Sequence, residues 1–264
     1  MLVHRVLSAI VLVPIIVAAA ALGGAPFWAI VLAASGIAMW ELTSLLRRAG
    51  YSPIWVLSLV LGIAFILDPA VLPGRIVPPA LSASLLLSLL FLVLRQRVET
   101  GLIDWAVTWV PPLYVGFLAS FLVSIRLLPD GDRWIFLVAG TTWSTDIGAY
   151  LVGIAAGRRK FFPLVSPRKS QEGAVAGLVA GVGAALLLGW LFGWDLLRLG
   201  ILGLLSSLAA EAGDLAESLM KRQLGTKDAG NLIPGHGGML DRMDSLLFVG
   251  VVTYWWAIWI GAGS

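Results

Sequence analysis

Residues 76–95 read IVPPALSASLLLSLLFLVLR, an apolar run whose one charge is Arg95 at its end. A helix of about 20 residues is about 30 Å long, the thickness of a bilayer's hydrocarbon core. Similar runs recur along the whole chain. They predict spans at approximately 5–23, 26–46, 53–68, 76–95, 103–127, 133–156, 173–193, 196–221 and 243–261. The composition agrees: of 264 residues 59% are hydrophobic and 12% charged, with a mean hydropathy of +0.94. A soluble domain carries about 25% charged residues, and half of that cannot cover a globule in water. The fold expected is therefore all-α, a polytopic integral membrane protein with about nine transmembrane helices. Pro111-Pro112 should kink or break the fifth span, because proline removes a helix donor. Ala18 to Ala21 could imitate the end of a signal peptide, but with so many later spans the first run reads as a membrane helix.

Charge placement sets the expected orientation. On the side of the N-terminus fall Arg5, Arg47, Arg48, Arg95, Arg97, Arg158, Arg159, Lys160, Arg168, Lys169, Lys221, Arg222, Lys227 and Arg242, 14 of the 18 Lys and Arg. The opposite side holds Arg75, Arg126, Arg133 and Arg198. The positive-inside rule then places the N-terminus in the cytoplasm. The same distribution explains the net charge of +3 without nucleic acid as a partner. Two long loops, 157–172 and 222–242, face that side, so the chemistry is expected there. The chain divides on this reading into N-terminal transmembrane helices, 1–100, and a transmembrane catalytic region, 101–264. With no cysteine and only His4 and His236, thiolate chemistry is excluded and a zinc site of the common type is disfavoured.

The residues that carry chemistry cluster late. In the eighth span Glu211, Asp214 and Glu217 recur at three-residue intervals on one broad face. An acid inside a membrane helix costs about 2.5–3.5 kcal/mol, so it usually faces a polar cavity or a partner. Pairing of Asp214 or Glu217 with Lys221 or another basic side chain is the structural alternative. Residues 227–244 read KDAGNLIPGHGGMLDRMD. Asp241 and Asp244 stand one turn apart at the mouth of the ninth span, and with Asp214 they make three carboxylates able to hold one or two hard cations. Capping and the helix dipole also account for one of them. Gly235, Gly237 and Gly238 let backbone amides approach an anion, with Lys221, Arg222, Lys227 and Arg242 nearby. His236 can bind phosphate, transfer a proton or satisfy a carbonyl. Arg168 and Lys169 precede a helix N-terminus that favours anions, though topology alone would place them there. Asp146 sits well inside the sixth span with Tyr150 one turn on; a buried structural hydrogen bond is the rival to a site role.

These residues resemble the signature of the phosphatidate cytidylyltransferases, the CDP-diacylglycerol synthases. Ser218, Lys221-Arg222, Lys227-Asp228, Pro234-Gly235-His236-Gly237-Gly238 and Asp241-Arg242-Met243-Asp244 match it without gap. Weaker segments match in order: Asp146 to Tyr150, Gly157-Arg158, and Ser166-Pro167 through Lys169-Ser170 to Glu172-Gly173. Ser170 stands where the family more often has threonine and keeps the hydroxyl. The resemblance covers roughly the C-terminal half.

It implies transfer of a cytidylyl group from CTP to phosphatidic acid, giving CDP-diacylglycerol and pyrophosphate at the cytoplasmic face of the cell membrane, by a homodimer. It further implies Asp214, Asp241 and Asp244 as ligands of Mg²⁺ and of a possible second cation, with Lys221, Arg222, Lys227, His236 and Arg242 as catalytic partners. Asp146, Tyr150, Ser166, Arg168, Lys169, Ser170, Gly235, Gly237 and Gly238 would bind substrate. Other CTP-using lipid enzymes would keep the phosphate and metal chemistry and change the lipid. An ion-coupled transporter could use Glu211, Asp214 and Glu217 but has no need of the basic loops or the glycine cluster.

Overall fold

The computed structural model describes residues 14–96, 98–230, 237–261 and 263. The start of the first span and the expectations on Gly235 and His236 lie outside the described residues. Within them the secondary structure is helical, with one isolated antiparallel bridge, Lys160 to Ser170. Residues 14–22 are helical up to Gly23. There follow α1 (Gly24–Arg48), α2 (Trp55–Val71), α3 (Val77–Arg95) and α4 (Gly101–Pro111). A π-helical segment (Pro112–Phe117) leads into α5 (Leu118–Arg126). Then come α6 (Gly131–Ala156), α7 (Gln171–Phe192), α8 (Leu196–Gln223) and α9 (Leu240–Trp259).

Among the described residues six helical stretches are long and apolar enough to cross a membrane: α1, α3, the continuous run Gly101–Arg126, α6, α7 and α8. The chain is thus a multi-pass membrane protein. The helix α2 is apolar but shorter, and α9 opens with Asp241, Arg242 and Asp244. The outer surface of α3 makes the same point from burial. Only Ser84 and Ser88 are buried on it, whereas Leu86, Leu87, Leu90, Val93 and Leu94 are exposed. Such a surface is stable against hydrocarbon and prone to aggregate in water.

The predicted interruption at Pro111-Pro112 takes a specific form. Two consecutive residues cannot donate, and the chain answers with one wider turn before α-geometry resumes at Leu118. The helix therefore runs on to Arg126.

By packing, the chain forms two compact units: Met1–Leu127 with Leu224–Asp241, and Leu128–Gln223 with Arg242–Ser264. The division at residue 100 follows motif content; the packing groups the signature loop with the N-terminal helices. In the first unit α2 lies against the π segment. A Cβ on Gly116 would come within 2.6 Å of the Gly62 Cα, so the two backbones touch. Phe117 bridges Phe65 and Phe121, at ring-centroid distances of 5.4 and 5.2 Å. Asp68 closes the turn into α3, its Oδ1 accepting from the Ile76 and Val77 amides at 2.8 and 3.0 Å.

In the second unit α7 is packed by α6 and α8. Its buried positions are Gly173, Gly177, Gly181, Ala185 and Gly189, one small residue per turn. Without a hydrophobic effect between helices in lipid, close backbone contact is what holds them. Gly181 sits directly on the Thr145 and Ser207 hydroxyls, themselves hydrogen-bonded at 3.1 Å. Ser170 caps α7, its Oγ accepting the Gly173 amide at 3.1 Å. Ser170→Ala is expected to lower stability by about 1 kcal/mol, read as a fall in the thermal midpoint in detergent.

Candidate active site

The loop 157–170 is held in shape by backbone bonds. The Phe161 amide donates to the Lys169 carbonyl at 3.0 Å and the Gln171 amide to Arg159 at 2.9 Å. Glu172, in the first turn of α7, accepts the Arg158 and Arg159 amides at 3.0 and 3.2 Å. The result presents Lys169 to α8: its Nζ lies 2.8 Å from Asp214 Oδ2. Asp214 Oδ1 accepts a hydrogen bond from Ser218 Oγ, one turn on, at 3.2 Å.

Asp214 has three acidic neighbours in the same unit, one of them Glu211 on its own helix. Asp146 on α6 and Asp244 on α9 both interact electrostatically with it and with each other. Lys169 and Arg242 act on Asp146, and Lys221 on Asp244. The helices that carry these acids meet through backbone. A Cβ on Gly213 would fall 2.6 Å from the Asp244 carbonyl, and Ser245 Oγ donates to the Ala210 carbonyl at 3.0 Å. Among the described residues the side chain of Asp244 itself bonds only locally, Oδ1 accepting the Ser245 amide at 2.7 Å.

The other predicted residues are placed as follows. Lys221 pairs with Glu217, which is 1% exposed, and Lys169 with Asp214, so both acids make the structural pairing with a basic side chain. Arg222 Nε donates to the Val165 carbonyl at 3.3 Å. The Ser166 carbonyl accepts the Lys169 amide at 3.2 Å, within the loop that presents Lys169. Arg168, Lys227 and Arg242 are exposed, as is Tyr150 on the outside of α6. Ser170 spends its hydroxyl on the helix cap.

In the first unit Asp241 accepts from the Gly238 amide at 2.7 Å and the Ala229 amide at 3.1 Å. Gly237 has φ +82°, the left-handed conformation that glycine adopts without strain. Gly238 has another reason to lack a side chain: a Cβ there would meet the Glu41 carboxylate at 2.6 Å. Glu41, on α1 and 2% exposed, accepts the Leu240 amide at 2.9 Å. The sequence reading passed over this residue. Its signal was available as a lone acid inside an apolar span, a position that needs a reason.

Among the described residues no three His, Cys, Asp or Glu converge into a ready-made metal cluster. The donor chemistry nevertheless suits a hard divalent cation. Asp146, Asp214 and Asp244 offer oxygen alone, and only Lys169 is ion-paired to any of the three among the described residues.

The residues 3–259 match the model of a family described as the cytidylyltransferase family. The chain is 36% identical over 263 residues to the phosphatidate cytidylyltransferase of Brucella suis, covering 95% of this chain and 91% of that protein. The Bacillus subtilis protein of the same name is 34% identical over 263 residues, covering 92% and 91%. That of Synechocystis is 30% identical over 284 residues, covering 97% and 96%.

Proposed function

The chain belongs to the cytidylyltransferase family, and from that premise we propose that it joins CTP to phosphatidic acid, forming CDP-diacylglycerol and pyrophosphate. The observation that carries the reading is that Asp146 on α6, Asp214 on α8 and Asp244 in the first turns of α9 act on one another, with Lys169 of the preceding loop paired to Asp214. Acids and cations together suit phosphates brought in with a divalent ion. A phosphate oxygen of the lipid attacks the α-phosphorus of CTP; a new P–O bond forms there as the bond to the β-phosphate breaks, and pyrophosphate carries off the electron pair. The lipid phosphate is already ionised near neutral pH, so no general base is needed. Two anions must meet, and positioning with charge neutralisation supplies most of the acceleration.

Asp214, Asp241 and Asp244 would hold Mg²⁺ and a second cation; bound there, the metal would neutralise charge on both substrates and on the leaving pyrophosphate. Lys169, released from Asp214, would take a phosphate, and Arg168, Lys227 and Arg242 would neutralise further phosphate charge. Lys221 is held in position by Glu217. His236 and Gly235 complete the proposed nucleotide loop with Gly237 and Gly238, and Asp146, Tyr150, Ser166 and Ser170 complete the substrate side. The wider arrangement we propose is nine spans with a cytoplasmic N-terminus, supported by the side on which 14 of 18 basic residues fall. The active site then opens to cytoplasmic CTP while the acyl chains stay in the bilayer. A homodimer in the cell membrane is part of the same reading.

Purified protein in detergent, given radiolabelled CTP, phosphatidic acid and Mg²⁺, is expected to put label into lipid, and EDTA to stop it. Label entering an isoprenoid substrate but not phosphatidic acid would overturn the lipid assignment. Incorporation that ignores EDTA would overturn the metal.

A further inference from the structure

An acid almost without solvent contact in an apolar helix must have something to bond. Glu41 is the eighteenth residue of α1, and its one side-chain hydrogen bond among the described residues reaches 199 residues along the chain to the Leu240 amide. Leu240 begins α9, where the first amides have no partner within the helix. A carboxylate at that point satisfies a donor and complements the helix dipole. The cap comes from a distant element because Asp241 is occupied elsewhere, accepting Gly238 and Ala229.

The fit around Glu41 is close on both sides. A Cβ on Gly238 would lie 2.6 Å from Oε2, and one on Gly230 would collide with Oε1. Neither glycine has a positive φ, so backbone conformation does not demand glycine at either position. The carboxylate does. Glu41 Oε1 has no hydrogen-bond partner among the described residues, although it is buried. That is a costly state for an acid unless its position is required.

We propose that Glu41 is the positioning residue of the signature loop. Wedged between Gly230 and Gly238 and bonded to Leu240, it fixes the two ends of the loop and the first turn of α9, and through them the direction of the Asp241 carboxylate. The link to catalysis rests on the proposed role of Asp241 in holding Mg²⁺; the link to loop geometry does not.

Two measurements on the full-length protein in detergent separate these. The first is the rate of tryptic cleavage after the exposed Lys227, identified by mass spectrometry. The second is the Mg²⁺ concentration giving half-maximal CDP-diacylglycerol formation. Glu41→Gln keeps the length and an acceptor for Leu240, and is expected to stay near wild type in both. Glu41→Asp keeps the charge but falls one methylene short; Glu41→Ala loses both. Each of these two is expected to raise the cleavage rate and the half-maximal Mg²⁺ concentration by about tenfold, the effect of leaving the buried Leu240 amide without its acceptor. Gly238→Ala should do the same in the wild type and add little in the Glu41→Ala background, since the clash has gone.

Equal damage from Gln and Asp, or additive effects of Gly238→Ala and Glu41→Ala, would overturn the proposal. If Glu41→Ala does not fold, the Gln and Asp pair decides alone. A lower thermal midpoint with an unchanged Mg²⁺ requirement would reduce Glu41 to a stability element and also overturn it. If the wild type forms no CDP-diacylglycerol, the functional reading fails, while tryptic cleavage still judges Glu41.

Discussion

Asp244→Asn is expected to lower the rate of CDP-diacylglycerol formation by about 10²–10³-fold, the usual effect of deleting one electrostatic contributor to a transition state, and yet to leave a protein that inserts and purifies normally. The expectation for stability goes further. Among the described residues the side chain bonds only to its own neighbour's amide, and α8 meets α9 through the Asp244 carbonyl and the Ser245 hydroxyl, which the substitution leaves alone. Asp146 and Asp214, which Glu211 also acts on, repel a carboxylate at 244, and removing that charge relieves the repulsion. In EDTA the thermal midpoint of the variant should therefore lie at or above that of the wild type. A residue that destabilises the resting fold while serving the reaction is a familiar compromise at active sites. Near-wild-type turnover would remove Asp244 from the metal set. A collapsed midpoint would show that the carboxylate holds the fold rather than the substrate.

The second large effect concerns the fold alone. Gly116→Val is expected to cost more than about 3 kcal/mol, the upper range for overpacking, because the nearest obstacle is main chain. Its Cβ would lie 2.6 Å from the Gly62 Cα and 3.0 Å from the Gly62 carbonyl oxygen. Side chains can swing aside, but α2 cannot move without disturbing Leu61, Phe65 and Ile66, all buried. Gly36→Ala is the control, since a Cβ there meets nothing within 4 Å and alanine favours the helix. Size-exclusion profiles and thermal midpoints in detergent should separate the two; a well-folded Gly116→Val protein would contradict the backbone contact.

The helices were legible because each is written locally. The stretch 76–95 reads as a span from its apolar length and corresponds to Val77–Arg95. The pair Pro111-Pro112 announced a disturbance, but two prolines do not say that it takes the form of one π-helical segment lying against α2. The site divides in the same way. Asp214, Lys169 and Asp244 were recognisable as candidates from residue type and motif, whereas the 2.8 Å pairing of Lys169 with Asp214 joins positions 45 residues apart. Periodicity within one helix says nothing of that. Ser170 stood in a matching segment and was read for its ligand chemistry, while its hydroxyl serves the cap of α7. The glycines of the signature suggested an anion cradle; Gly238 also clears space for Glu41, an acid on a helix that carried no motif.

The one-per-turn small residues of α7 bear on how far this protein can be altered. Where large side chains fill a core, a hole left by one can be filled by its neighbour, and sequences drift through compensating pairs. Gly173, Gly177 and Gly181 leave nothing to exchange: what they touch includes the Ala149 and Thr145 carbonyls and two hydroxyls already committed to each other. An engineer retuning the enzyme for a different membrane therefore has two unequal surfaces on a single helix. The lipid-facing positions Val175, Val179 and Leu187 are exposed and can be rewritten freely in apolar letters. The opposite face admits almost no alphabet at all, and a library that randomises it will return the parent.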